Sequence, residues 1–214
     1  MDKIAIFGAG GFGREVLEQI HDINNIENRF EIVGFFDDDQ SKKEIHGYPL
    51  LGGIEEINKW ETDLGLVVAI GTPRIKKVII ERIKNLHISY PTIIHPSVMI
   101  GDRKYVKIGK GCIICPASII TTDVIIGDFV TLNLACTVGH DTTIKDYSAF
   151  MPTCNISGEV VIGESVYCGT GTKIINQKVV HDNVIIGAGA VVVKDIPANT
   201  VVAGVPARFL KYAE

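Results

Sequence analysis

The chain has 214 residues, 46% of them hydrophobic and 21% charged, and a formal net charge of −4. That length allows one long domain or two small ones, and the charge balance offers no global basic surface for nucleic acid. The opening residues Lys3-Ile4-Ala5-Ile6-Phe7-Gly8 are too short and too glycine-bounded for a signal peptide or a membrane span, so a cytoplasmic protein is expected.

Residues 3–7 read as a buried strand of apolar β-formers. Gly8-Ala9-Gly10-Gly11-Phe12-Gly13 follows at once, and Arg14 to Ile20 then has helical spacing. Strand, glycine-rich turn and helix form the context in which GxGxxG can approach a phosphate and present free N–H groups to it. A second strand, Glu31 to Phe36, ends in Asp37-Asp38-Asp39, where an acidic side chain can bind a ribose or a base edge.

Gly47 to Gly53, with Pro49, reads as a loop, and Ile54 to Trp60 as a short helix. Leu64 to Ile70 is a third buried strand ending at Gly71. Thr72-Pro73 opens the next helix, whose apolar side is expected to carry Val78, Ile79 and Ile83. Residues 1–90 therefore alternate β and α, which implies a small parallel sheet with helices packed on it. The glycines also fit a tight β–α turn that binds nothing; the acidic cluster and Gly71, both at strand ends, favour a nucleotide. A half-size sheet suits a mononucleotide or a nucleotide-linked sugar better than a dinucleotide, so a dinucleotide oxidoreductase is the weaker reading.

Tyr90-Pro91 to His95-Pro96 is a crossover, and the domain boundary is placed near residue 90. Two hexads can begin at Ile94 and Ile100 before the register slips by two residues between Arg103 and Lys107. From Ile108 to Val192 an apolar residue then returns at every sixth position. Four places after it, the side chain is usually small or β-branched, as at Cys112, Ser118, Val124 and Cys136. Gly often follows the leading aliphatic, as in Ile126-Gly127 and Ile162-Gly163. A period of six fits short strands and turns coiled into a parallel β-helix, three hexads to a coil. The leading aliphatics point inward, the small residues fill the corners, and fifteen hexads make five coils. The tail from Pro197 has lost the hexad.

Cys112 and Cys115 form a CxxC without a second pair, so packing in a reducing compartment is expected rather than metal binding. His140-Asp141 follows Val138-Gly139 at an outward turn. Residues 18 apart stack, so His140 lies between Thr122 and Gly158, with Asn176 and Lys194 higher in the column. A neutral imidazole beside a carboxylate is suited to general-base work; a solvated turn histidine is the alternative. His181, the other histidine of the locked repeat, belongs to a different face, so one chain cannot supply a three-histidine metal site.

Together, Gly8 to Gly13, Phe36-Asp37-Asp38, Ala69-Ile70-Gly71, the hexads, Gly139-His140-Asp141 and Gly204-Val205-Pro206-Ala207 resemble bacterial sugar acyltransferases of the PglD/NeuD type. The resemblance covers nearly the whole chain. It implies an α/β Rossmann-like N-terminal domain (1–90) followed by a left-handed parallel β-helix (91–214), assembled as a homotrimer. It implies acetyl-CoA as co-substrate, no metal, and acetylation of a nucleotide-linked amino sugar or of sialic acid. By position it implies His140 as catalytic base and Asp141, often Glu in the family, as its support. Sugar-nucleotide contacts would fall on Gly10, Gly11, Phe12, Asp37, Asp38 and Gly71. Acetyl-CoA contacts would fall on Thr170 and Ala188, with backbone donors near Gly158 placed by stacking at the oxyanion. Some members have histidine where this chain has Phe12, and the best-known members have a second histidine where it has Ala149. The expected reaction is N-acetylation of a 4-amino-4,6-dideoxy sugar in surface-glycan biosynthesis. O-acetylation and a non-catalytic nucleotide-sugar-binding trimer are the alternatives.

Overall fold

A computed structural model describes residues 1–213, which form two compact units, Met1–Pro96 and a second from Ser97 onward. In the first, β1 (Asp2–Phe7), α1 (Gly11–Glu27), β2 (Phe30–Phe36), the short strands β3 (Glu44–Ile45) and β4 (Tyr48–Pro49), α2 (Ile54–Asn58), β5 (Leu64–Val68), α3 (Pro73–Arg82) and β6 (Ile88–Ser89) follow one another. β2, β1, β5 and β6 lie side by side in that order, all parallel. Both faces of β1 and β5 are covered, which is why these strands read as continuous apolar runs rather than alternating ones. Ala5, Phe7, Phe36, Leu66, Val68 and Ile79 share one core cluster there.

Local differences from the sequence reading have simple causes. α1 starts at Gly11, inside the glycine motif, because Gly10 takes the extended N-cap conformation. The expected loop around Pro49 holds a hairpin instead, turned by His46 and Gly47 at φ +48° and +86°. Two successive positive φ angles match the right-handed strand twist, and Pro49 sits in a short strand where its missing N–H is tolerated. On α3 the buried side is Pro73, Lys76 and Ile79, while Val78 is 53% exposed, contrary to expectation. Pro73 at the first helical position sets the helix phase, and the spacing of three and four then carries Lys76 inward.

The second unit is a parallel β-helix. Its strands are mostly two residues long and pair with the strand 18 residues on, as in Thr137↔Asn155, Asn155↔Lys173 and Lys173↔Val191. Ile100 instead pairs with Ile120, 20 residues away, before Ile108 pairs with Ile126. This is the two-residue slip expected at 103–107. The leading aliphatics from Ile114 to Val192 are 0–3% exposed, each buried one contributing about 1.5–3 kcal/mol of transfer free energy. The tail adds a further parallel strand, Thr200–Ala203 on Ile185–Ile186, and then returns antiparallel as Arg208–Tyr212.

Each turn places one residue in the left-handed region, at φ +55° to +64° for non-glycine residues from Ala117 to Asn183. That conformation costs about 1–2 kcal/mol per residue. Backbone bonds hold it: the Tyr147 N–H donates to the Asp128 carbonyl one coil below, and the Glu159 N–H to that of His140. The corner side chains add a second tie. Cys112, Ser118, Cys136, Thr142, Ser148, Cys154 and Thr172 each donate to the carbonyl 15 residues ahead, at 2.8–3.5 Å. Thiol and hydroxyl thus do the same job at these corners, because each is small and carries one donor.

Candidate active site

His140 and Asp141 stand in the turn after the strand Thr137–Val138. Gly139 precedes them because a Cβ there would lie 2.6 Å from the Gly158 nitrogen in the coil above. Asp141 takes the left-handed position, φ +55°, which Asp tolerates better than most residues. Its N–H donates to the Thr122 carbonyl, and the His140 carbonyl accepts from Glu159, so the backbone of the pair is clamped between coils.

The side chains form a dyad. His140 Nδ1 and Asp141 Oδ2 are 2.7 Å apart, and both side chains are more than half exposed. An ionised carboxylate only accepts, so Nδ1–H is the donor and Nε2 carries the free lone pair. That nitrogen faces the space left by Gly158: a Cβ at Gly158 would stand 2.6 Å from both Nε2 and Cε1. The imidazole therefore occupies ground that any side chain at 158 would take.

The second candidate region lies in the first unit, at the C-terminal ends of β1, β2 and β5. Gly13 allows α1 to close on the strand; its Cβ would overlap the Gly8 carbonyl oxygen at 1.8 Å. Gly10 and Gly11, by contrast, have nothing within 4 Å of a Cβ position. The first turn of α1 has no acidic residue and no side-chain cap, so its N–H groups remain available to an anion. Asp37 accepts from the Ala9 N–H at 2.7 Å and from the Asp39 N–H at 2.9 Å, tying the glycine loop to the end of β2. Asp38 accepts from the Ile54 N–H at 3.1 Å and faces Arg82 at 3.5 Å. Asp38, Gly53, Ile54 and Arg82 line an open groove of about 370 Å³. Phe12 is half-buried and Gly71 half-exposed, two residues before the start of α3.

Residues 3–83 match the family model described as the PglD N-terminal domain. The whole chain is 34% identical over 219 residues to GDP-perosamine N-acetyltransferase of Escherichia coli O157:H7, covering 99% of this chain and 97% of that protein. The chain belongs to the PglD/NeuD-type sugar acyltransferases. The acetyltransferase domain of PglB from Neisseria gonorrhoeae has the same fold, with TM-score 0.89, 31% identity, and 98% and 100% of the two chains covered. PerB from Caulobacter crescentus, solved in complex with CoA and GDP-perosamine, gives TM-score 0.86 at 27% identity over 98% of each chain. The fold class is thus the expected one, an α/β Rossmann-like domain followed by a left-handed parallel β-helix.

Within this acyltransferase fold, one chain does not gather all the expected site residues. His140, Asp141 and Gly158 share one corner of the coil. Thr170 and Ala188 stack at the previous corner, where the Gly189 N–H donates to the Thr170 carbonyl at 2.8 Å, and both side chains are exposed. Ala149 is fully buried, so no side-chain contact to a ligand is made there. The sequence reading missed a polar ladder on the face between the two corners. Asn155 Nδ2 donates to Thr137 Oγ1 at 3.0 Å, and Lys173 Nζ donates to Asn155 Oδ1 at 2.9 Å. The signal was an unbroken polar column, 18 residues apart, at outward positions that Ile119 and Val191 fill elsewhere. Among the described residues, no group of three or more His, Cys, Asp or Glu side chains is arranged to hold a metal ion, and no helix is long and apolar enough to cross a membrane.

Proposed function

We propose that the chain is an acetyl-CoA-dependent N-acetyltransferase acting on a nucleotide-linked 4-amino-4,6-dideoxy sugar in surface-glycan biosynthesis. The observation that carries this is the dyad: His140 Nδ1 is bound to Asp141 and Nε2 is open toward Gly158. Its support is the end-to-end match to an N-acetyltransferase named for GDP-perosamine, and a GDP-linked amino sugar heads the list of acceptors.

The sugar amine attacks the thioester carbonyl. A C–N bond forms, the C–S bond breaks and CoA leaves as the thiol. His140 Nε2 removes the amine proton and returns it to the departing sulfur, while Asp141 stabilises the imidazolium. Backbone donors beside Gly158 hold the developing oxyanion. The free amine is already a good nucleophile, so no covalent enzyme intermediate is required. The glycine loop and the ends of β1, β2 and β5 take the nucleotide through Gly10, Gly11, Phe12, Asp37, Asp38 and Gly71. Thr170 and Ala188 contact acetyl-CoA through backbone groups. Because they occupy a different corner from His140, the complete site uses two copies of the chain, and the assembly is a homotrimer. The five free, buried cysteines suit the cytoplasm.

Thiol release from acetyl-CoA, measured over GDP-, UDP- and dTDP-amino sugars and matched hydroxyl acceptors, tests the reading. His140→Ala should lower kcat by about 10² or more. Full turnover of that variant at saturating substrate would remove the mechanism. Turnover of the hydroxyl acceptors alone would replace N- by O-acetylation, and no thiol release with any acceptor would leave a binding protein.

A further inference from the structure

We infer that Glu55 and Arg82 read guanine as the base of the sugar nucleotide; this rests on the proposed nucleotide-linked acceptor and names the residues that choose among nucleotides. The groove of about 370 Å³ in the first unit is lined by three carboxylates, Asp38, Glu55 and Glu56, and by one guanidinium, Arg82. That surplus of negative charge repels a diphosphate, for which the glycine loop is the better place, and the groove suits an uncharged base rich in N–H groups. The two places adjoin. Asp37 accepts from the Ala9 N–H of the glycine loop at 2.7 Å, and the next residue, Asp38, stands in the groove wall.

The three carboxylates are not equivalent. Glu56 Oε2 accepts from the Gly53 N–H at 2.7 Å. Asp38 uses Oδ1 on the Ile54 N–H at 3.1 Å and turns Oδ2 to Arg82 Nη1 at 3.5 Å. Glu55 is exposed and, among the described residues, has no hydrogen-bond or ion-pair partner, so both its oxygens are open. Arg82 is set from two sides: Asp38 faces its guanidinium, and Asn58 Nδ2 donates to its carbonyl at 3.1 Å, holding the end of α3 against α2. The N–H groups not aimed at Asp38 remain for an acceptor.

Guanine carries paired donors, N1–H and the 2-amino group, on one edge and paired acceptors, O6 and N7, on the next. The first pair matches the two oxygens of Glu55, and the second matches the fork of Arg82. Uracil and thymine place a carbonyl on each side of N3–H, so a carboxylate there meets lone pairs, and they offer the guanidinium no paired acceptors. Adenine has a bare N1 where guanine has N1–H. The combination of a free carboxylate and an oriented guanidinium therefore selects guanine both by pairing with it and by leaving the other bases unpaired.

Calorimetric titration of nucleoside diphosphates into the full chain tests this without turnover. Wild type should bind GDP about ten-fold more tightly than UDP or dTDP, and about ten-fold more tightly than IDP, which lacks only the 2-amino group. Glu55→Ala should weaken GDP and bring it within about two-fold of IDP, the loss expected when the carboxylate that accepts from the 2-amino group is gone. Arg82→Ala should weaken GDP and IDP alike, and should bind GDP and 7-deaza-GDP equally where wild type prefers GDP. Both side chains are exposed, and circular dichroism melts matching wild type confirm that the variants fold. Equal binding of UDP and GDP by wild type, or a GDP-to-IDP ratio that Glu55→Ala leaves unchanged, would overturn the assignment. If these ratios hold but no acceptor releases thiol from acetyl-CoA, the acetyltransfer reading fails and the base assignment stands. If UDP- or dTDP-amino sugars are turned over in preference to GDP-amino sugars, the base assignment fails and the acetyltransfer stands.

Discussion

Gly158 shows how much of this site depends on an absent side chain. Its functional partner His140 is held at Nδ1 by Asp141, so a ring displaced to make room gives up that tie. Gly158→Ala puts a methyl 2.6 Å from Nε2 and Cε1, inside van der Waals contact. The ring is the exposed end of a side chain, so it moves and the backbone does not. The expected result is a melting temperature within a degree or two of wild type and a kcat reduced about 10²-fold, as for a 1 Å misplacement of a catalytic group. Unchanged kcat in this variant would show that Nε2 does not need its present position. His140 itself was legible in the sequence because it follows Val138-Gly139 at an outward turn of the six-residue repeat. The tie from its Nδ1 to Asp141 was legible as adjacency. The Thr137–Asn155–Lys173 ladder was not, because outward strand positions are unconstrained by the six-residue period.

At the scale of the hexad, the recurring Ile-Gly now has a cause. Asp146 Oδ1 accepts from the Asp128 N–H at 2.8 Å, and Asp182 Oδ1 from the Glu164 N–H at 2.8 Å, each carboxylate lying over the glycine of the coil below. At Gly127 a Cβ would be 2.2 Å from Asp146 Oδ1 and 2.9 Å from the Asp146 nitrogen. One contact is side chain and the other backbone, so the strain cannot be relieved by a rotamer alone. Gly127→Ala should destabilise the solenoid by about 1–3 kcal/mol, the range for overpacking, read from chemical denaturation followed by circular dichroism. A neutral effect would mean that the coils separate easily at this corner. The sequence carried the inward register of the β-helix in full, since every leading aliphatic had to be buried. It carried less of the first unit: the hairpin at 44–49 and the burial of Lys76 depend on turn geometry and helix phase, which side-chain polarity alone does not encode.

The two units also differ in how they are stabilised, and the chain carries a separate probe for each. Its one tryptophan, Trp60, packs edge-on against Phe36 in the first unit, with ring centroids 5.7 Å apart. All five cysteines, from Cys112 to Cys168, are buried in the β-helix. All five are 0–3% exposed, so a reagent in solution cannot reach their sulfurs while the coils are closed, whatever their ionisation. Thiol reagents at pH 8 should therefore leave the native chain unmodified and report only the opening of the solenoid. A small parallel sheet with a single core unfolds as one unit, whereas a β-helix gains stability from each neighbouring coil. In a urea series, tryptophan emission should change at a lower concentration than the one that exposes the thiols. Separate midpoints are expected because two compact units need not share one transition. Coincident midpoints would show that the units unfold together, and the stability of the β-helix could then no longer be treated as a sum over its own coils.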